Sequence, residues 1–197
     1  MENKDNPKLV LASTSAYRRE LLLRLQIPFT TAGPDIDESA LAGEHGAATA
    51  ARLAQLKAGA VSARFQNALV IGSDQVAECQ GVRLDKPGER AKAFAQLSWV
   101  SGKEAIFHTA ITLLNTATSN TQTTVVPTRV RFRSLQETEI NRYLALEPAF
   151  DCAGSAKSEG LGISLLDEIS GDDPTALIGL PLIALCRMLR NEAVPIP

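Results

Sequence analysis

Lys8 to Arg19 reads KLVLASTSAYRR, an apolar run that stops abruptly at three hydroxyl residues and a pair of arginines. Lys8 to Ala12 is short and apolar enough for a buried strand. Tyr17 to Leu25, with leucines at 21, 22 and 25, has the spacing of one helical face. Ser13, Thr14 and Ser15 then fall at the turn between them. A helix N-terminus offers unpaired N–H groups and the positive end of a dipole, so an anion beside Ser13 and Ser15 would be favoured there. Arg18 and Arg19 add bidentate donors at the same end. Two cations in a first helical turn oppose the dipole at a cost of roughly a few tenths of a kcal/mol each, which an anionic ligand would offset. A capped helix with two solvated arginines is the competing reading.

The bulk composition narrows the partners. The chain has 197 residues, 45% hydrophobic and 21% charged, which is ordinary for a globular protein with a substantial core. A net charge of −2, with no basic stripe or aromatic ladder, argues against nucleic acid as the partner and leaves a small anionic ligand open. Three cysteines without CxxC or Cys/His spacing suggest neither a disulfide framework nor a structural zinc site. Residues 1–7 are polar and read as a flexible tail, no apolar run is long enough to span a membrane, and a cytoplasmic protein is expected.

Further along, Phe29 to Ala32 is a second short strand, followed by an acidic loop with Asp35, Asp37 and Glu38. Those carboxylates suit a hard divalent cation such as Mg²⁺ or Mn²⁺, or simply an exposed turn. Ala47 to Ala63 is a helix with Leu53, Leu56 and Ala60 on its inner face, in which Lys57 would ordinarily be solvated. Ala68 to Gly72 is a buried strand ending in Gly72-Ser73-Asp74-Gln75, where Asp74 is either a rigidly held acid or a turn former. Val76 to Cys79 and Val82 to Leu84 make a hairpin about Gln80-Gly81, and Lys86 precedes a proline and should be extended. Glu89 to Trp99 is a helix, and Glu104 to Leu114 pairs with Thr123 to Phe132. His108, with no partner cysteine or histidine nearby, reads as structural. Ser134 to Glu137 has capping-box spacing and opens a helix reaching Leu146. Asp151 to Leu166 places three glycines around Lys157 and Glu159, and Gly179-Leu180-Pro181 precedes a last helix, Leu182 to Arg190. Together these elements predict a single α/β domain over 8–192, its mixed, twisted sheet flanked by helices and bent around a central cleft.

With those motifs in place, the chain resembles the Maf family of nucleoside triphosphate pyrophosphatases. The resemblance rests on LASTSAYRR (Leu11 to Arg19), Asp37-Glu38, RLAQLKA (Arg52 to Ala58), IGSDQ (Ile71 to Gln75), Lys86-Pro87, CAGSAKSEG (Cys152 to Gly160) and IGLPL (Ile178 to Leu182). It implies the fold of the inosine triphosphate pyrophosphatases and cleavage between the α and β phosphates, with Asp74 accepting the proton of the attacking water. Ser13, Arg18, Lys57 and Lys86 would hold phosphates, and Arg19 is a weaker candidate. Tyr17, Gln75 and Glu159 match the branch acting on 7-methyl-GTP, a role in clearing modified nucleotides; branches acting on dTTP and UTP carry Arg, Thr and Gln there. Ala16 stands where proline is common, and Ala156 where an aromatic is.

A carboxylate with an ordinary pKa of about 3.9 is a weak base at neutral pH, so a metal on Glu38 and Asp74 is expected to acidify the water. The resemblance also suggests a homodimer. Two alternatives remain at this stage, a pyrophosphatase for dTTP, UTP or inosine triphosphate, and a non-enzymatic nucleotide-binding regulator of cell division.

Overall fold

The structure, a computed structural model, describes residues 7–197, so the tail expected over 1–7 lies outside it apart from Pro7. In chain order it contains β1 (Lys8–Leu11), α1 (Ala16–Leu23), β2 (Phe29–Thr31), α2 (Gly46–Ser62), β3 (Ala68–Cys79), β4 (Val82–Arg83) and α3 (Arg90–Val100). There follow β5 (Glu104–Asn115), β6 (Thr121–Phe132), α4 (Glu137–Leu146), β7 (Leu166–Gly171) and α5 (Leu182–Asn191), with 3₁₀ turns at Ala153–Ser155 and Leu161–Leu165. The strands form one mixed sheet in the order β2-β1-β3-β5-β6-β7, with β4 on β3. Two compact units divide the chain, one of residues 1–75, 109–126 and 173–197, the other of residues 76–108 and 127–172.

The first unit is three-layered because its strands alternate. β1 lies parallel between β2 and β3, with Leu9 opposite Leu69 and Leu11 opposite Ile71. These four residues face Leu21 and Leu22 of α1 and Leu185, Met188 and Leu189 of α5, whereas Val10, Ala12, Ala68 and Val70 face Ala58 and Val61 of α2. A strand apolar on both faces must be covered on both, and the period of two sends each residue to one helix layer or the other.

In the second unit, β3 turns into β4 through Gln80 (φ 52°) and Gly81 (φ 77°), with Cys79 opposite Val82. Two consecutive positive φ values give the tight hairpin turn that the sequence predicts. Ala93, Leu97 and Val100 of α3 are fully buried, as its spacing requires.

Two expectations are corrected, and one strand is new. β3 does not end at Gly72; it runs on to Cys79, so Asp74 sits within a strand rather than at its end. The capping box of α4 is Gln136 with Glu139, two residues later than expected, since Glu139 Oε2 accepts from Gln136 N at 2.8 Å while Arg133 Nη2 bonds its other oxygen at 3.0 Å. β7 has no counterpart in the sequence reading. It pairs antiparallel with β6, Glu168 opposite Arg131, and is too exposed to show an apolar alternation.

Candidate active site

The turn after β1 is built as its hydroxyls suggest. Ser15 is the N-cap of α1, its Oγ accepting from Arg18 N at 3.4 Å, and the buried Ser13 accepts through Oγ from Ser15 N at 3.1 Å. No acidic residue occupies the first turn of this helix. Arg18 is partly buried and donates through Nε to the Gly179 carbonyl at 2.9 Å, whereas Arg19 is exposed. Burial pushes the Arg18 guanidinium below its ordinary value, and the negative charges of Asp74 and Glu38 push it back up, which places both carboxylates within its electrostatic reach.

Those two carboxylates meet on one ammonium. Lys57 Nζ lies 2.7 Å from Asp74 Oδ1 and 2.9 Å from Glu38 Oε2. The lysine was expected to be solvated; it is 5% exposed. The buried face of α2 runs through Leu53, Ala54, Lys57, Ala58 and Val61, while Leu56, assigned to the inner face from the sequence, is 44% exposed. Strand alternation explains the partner: Val70, Gly72 and Asp74 point toward α2, and Gly72 carries no side chain to hold the helix away. A β-carbon there would lie 2.8 Å from Ala58 N and in collision with Ala54 O.

Ser73 and Gln75 point to the opposite face of β3. Ser73 Oγ donates to the carbonyls of Ala110 (2.8 Å) and Gly179 (3.0 Å). Gln75 Nε2 is within bonding distance of Thr109 Oγ1 (2.9 Å), Leu177 O (3.0 Å) and Ala176 O (3.1 Å). The Gln75 amide therefore ties down the segment before α5. Tyr17, half-buried, follows directly on the Ser15–Ala16 cap.

Lys86 and Glu159 belong to the second unit, and both are exposed. The turn carrying Glu159 is fixed from beneath: Gly162 N donates to Glu147 Oε2 at 3.1 Å, and Lys157 N donates to Tyr143 Oη at 3.1 Å. Burial, foremost, pushes the Tyr143 phenol up to about 12, so this acceptor stays a neutral hydroxyl. A β-carbon at Gly162 would lie 2.5 Å from the backbone of Lys157, and one at Gly160 would strike the Glu147 carboxylate, so close approach explains both glycines. His108 Nε2 lies 3.5 Å from Glu78 Oε2, also within this unit.

Two interactions within the first unit have no counterpart in the sequence reading. Asp173, 3% exposed, accepts from Thr175 N (2.9 Å) and Thr175 Oγ1 (2.6 Å), and through its other oxygen from Ile183 N (2.7 Å) in the first turn of α5. Arg52 grips Glu44 with two bonds, Nε to Oε1 at 2.8 Å and Nη2 to Oε2 at 2.7 Å. The helix-opening Pro181 is the sequence signal that α5 needs a remote cap.

Among the described residues no group of three or more His, Cys, Asp and Glu could hold a metal ion. Glu38 and Asp74 each give one oxygen to Lys57 and keep the other. That donor set fits Mg²⁺ or Mn²⁺ as a partial shell only, because these ions take one or two carboxylates and complete an octahedron with phosphate and water oxygens. None of the three cysteines forms a disulfide, and among the described residues no helix is long and apolar enough to cross a membrane.

A family model described as "Maf-like protein" matches residues 8–192. The chain is 58% identical over 190 residues to a protein of Aromatoleum aromaticum named 7-methyl-GTP pyrophosphatase, covering 96% of this chain and 98% of that one. It is 54% identical over 195 residues to a protein of Cupriavidus metallidurans with the same name, covering 99% and 98%. A solved nucleoside-triphosphatase / dITP/XTP pyrophosphatase from Mycobacterium abscessus is similar at 15% identity with a TM-score of 0.43, over 94% of this chain and 95% of that one, too remote to bear on fold or site.

Proposed function

The chain belongs to the Maf-like protein family, and from that premise we propose that it hydrolyses 7-methyl-GTP to 7-methyl-GMP and diphosphate. The observation that carries the chemistry is the Asp74–Lys57–Glu38 cluster beside Arg18. Water attacks at the α-phosphorus, the bond to the α–β bridging oxygen breaks, and Asp74 takes the water's proton. An ammonium has three N–H donors. Asp74 and Glu38 occupy two of those on Lys57, which leaves one for a phosphate oxygen without breaking the cluster.

Arg18 is bonded to the Gly179 carbonyl through Nε, and its Nη groups would supply donors to the same chain of phosphates. Ser13 and the N–H groups at the head of α1 extend that grip; Lys86, in the second unit, is a further phosphate contact only as the family resemblance implies. Fixed positive charge where negative charge grows is the largest contribution such a site makes. A divalent ion on the remaining oxygens of Asp74 and Glu38, when bound, would acidify the water and neutralise phosphate charge. We place the reaction in the cytoplasm, a reducing compartment that suits cysteines held outside disulfides.

The test is a substrate panel of 7-methyl-GTP, GTP, dTTP, UTP and inosine triphosphate with Mg²⁺ or Mn²⁺, following diphosphate release. The highest kcat/KM is expected for 7-methyl-GTP, with loss of turnover on chelation. Orthophosphate as the first product, or tight nucleotide binding without turnover, would overturn the reading.

A further inference from the structure

Glu38 lies in a segment with no helix or strand between β2 and α2, and its side chain is 56% exposed. An exposed carboxylate is held weakly by a single ion pair, which contributes about 0–1 kcal/mol, so Lys57 alone does not account for its place. The segment is held elsewhere, by one side chain of α2.

The Arg52 guanidinium engages Glu44 with both Nε (2.8 Å) and Nη2 (2.7 Å), and the same Nη2 donates to the carbonyl of Ser39 at 3.0 Å. Ser39 is the residue after Glu38. One planar group therefore pins two points five residues apart in the loop. Glu44 Oε2 also accepts from Leu41 N at 3.3 Å and from Thr49 Oγ1 at 3.0 Å, and Ser39 N donates to Asp37 Oδ1 at 2.9 Å. Thr49 and Arg52 are one helical turn apart, so α2 presents them together. Lys57, further along the same helix, receives Glu38. A lysine at 52 could not do this, because its point charge lacks the fixed fork that reaches a carboxylate and a carbonyl at once.

We propose that Arg52, through its paired bonds to Glu44 and its bond to the Ser39 carbonyl, is a positioning residue that holds the 37–44 loop in the shape that brings Glu38 to Lys57. The clamp stands on geometry alone; its consequence for turnover rests on the proposed hydrolysis, in which Glu38 serves the reaction. Glu44 is kept charged for this task, since the hydrogen bonds from Arg52 lower its carboxyl to about 2.

Amide hydrogen exchange on Arg52→Ala and Glu44→Gln tests the clamp without any substrate. The amides of Ser39 and Leu41 should exchange about tenfold faster or more, the loss expected for a charge-assisted bond, while those of β1 and β3 keep their protection. Unchanged exchange at Ser39 and Leu41 in both variants would overturn the clamp. A second arm measures kcat/KM in a double-mutant cycle with Glu38→Gln. Arg52→Ala should cost about a hundredfold when Glu38 is present and little when it is not, because it acts through that carboxylate. Equal losses in both backgrounds would overturn the positioning role. A wild-type chain without turnover would instead defeat the proposed hydrolysis, and the exchange arm would still decide the clamp.

Discussion

Gly72 and Ala54 meet backbone to backbone: a β-carbon on the glycine would strike the Ala54 carbonyl oxygen, so nothing separates α2 from β3 at this point. One turn along the helix is Lys57, and two residues along the strand, on the same face, is Asp74, with 2.7 Å between their charged groups. Contact at the glycine sets the distance at the ion pair. Gly72→Ala must push the helix outward, and overpacking of this kind costs about 1–3 kcal/mol. Denaturant unfolding should show that loss, and turnover should fall further than stability because the Lys57–Asp74 bond is stretched. An alanine variant with unchanged stability and turnover would mean that the helix does not rest on this contact.

Removing either partner of that pair should have unequal effects on stability. Asp74→Asn leaves Lys57 bonded to Glu38 at 2.9 Å, whereas Lys57→Ala strands a carboxylate that is 9% exposed. Loss of one partner from a buried pair costs about 3–5 kcal/mol when the charge left behind has no other, so Lys57→Ala should approach that range and Asp74→Asn should cost about 1 kcal/mol. Both variants should lose turnover, while nucleotide binding measured by calorimetry survives in Asp74→Asn. A fully active Asp74→Asn enzyme would remove the assigned base.

The strand-to-helix turn at Ser13 to Ser15 was legible because an apolar run, hydroxyls and leucine spacing are all local signals. What was not legible depended on close approach in space. A glycine inside a strand looks like its end, and only the neighbouring helix shows why Gly72 has no side chain. For the same reason Lys57 read as solvated, since its two anionic partners lie 17 and 19 positions away in sequence. Gln75 enters base selection only through the resemblance, beside Tyr17 and Glu159; adjacency to Asp74 in a strand puts its side chain on the opposite face, where its amide bonds Thr109 and the 176–177 backbone. The α4 capping box slipped because two sets of residues have the right spacing, and Arg133 favours the second.

Acid should expose the Arg52–Glu44 pair. The Glu44 carboxyl, held near 2 by hydrogen bonds from Arg52, binds its proton more weakly in the folded chain than in the unfolded one, where the ordinary value is 4.5. Its contribution to stability is therefore complete above about 4.5 and disappears as the pH falls toward 2. The difference in Tm between wild type and Glu44→Gln should be constant from pH 7 to 5, shrink below 4.5 and vanish near 2. A difference that persists at pH 2 would assign the effect of Glu44 to its shape and not its charge.

Asp173 should matter for stability through the approach to α5. Its two oxygens bond Thr175 and the Ile183 amide, and Thr175 Oγ1 in turn bonds Leu182 N at 2.9 Å, so one buried carboxylate organises the approach to α5. Asp173→Ala forfeits a helix cap and leaves buried donors unpaired, a loss of about 2–3 kcal/mol. The segment it releases carries the Gly179 carbonyl that receives Arg18 and Ser73, so KM should rise along with the loss of stability. Thermal unfolding and steady-state kinetics on the same sample would show whether the two move together; a destabilised variant with an unchanged KM would separate α5 from the phosphate grip.

The choice of base follows from the chemistry of methylation at N7, which leaves the purine ring positively charged. A cationic ring prefers an electron-rich face and an anionic edge. On the role that the family resemblance implies, Tyr17 would offer the first, with an attraction of about 0.5–2 kcal/mol, and an arginine there would repel the ring. On the same implied role Glu159 would offer the second, since a carboxylate accepts from both guanine N1–H and the exocyclic amine, while a glutamine presents one acceptor and one donor, as a pyrimidine's N3–H and carbonyl require. The turn that carries Glu159 is anchored by the Glu147 bond to Gly162 N, so substituting the exposed Glu159 should leave the turn intact. Glu159→Gln is therefore expected to lower kcat/KM for 7-methyl-GTP by about tenfold to a hundredfold, the cost of one charge-assisted bond, with little effect on UTP. Adding Tyr17→Arg should narrow the remaining preference. If the double variant still selects 7-methyl-GTP over dTTP and UTP as strongly as the unmodified protein, the base is being read by other side chains than these two.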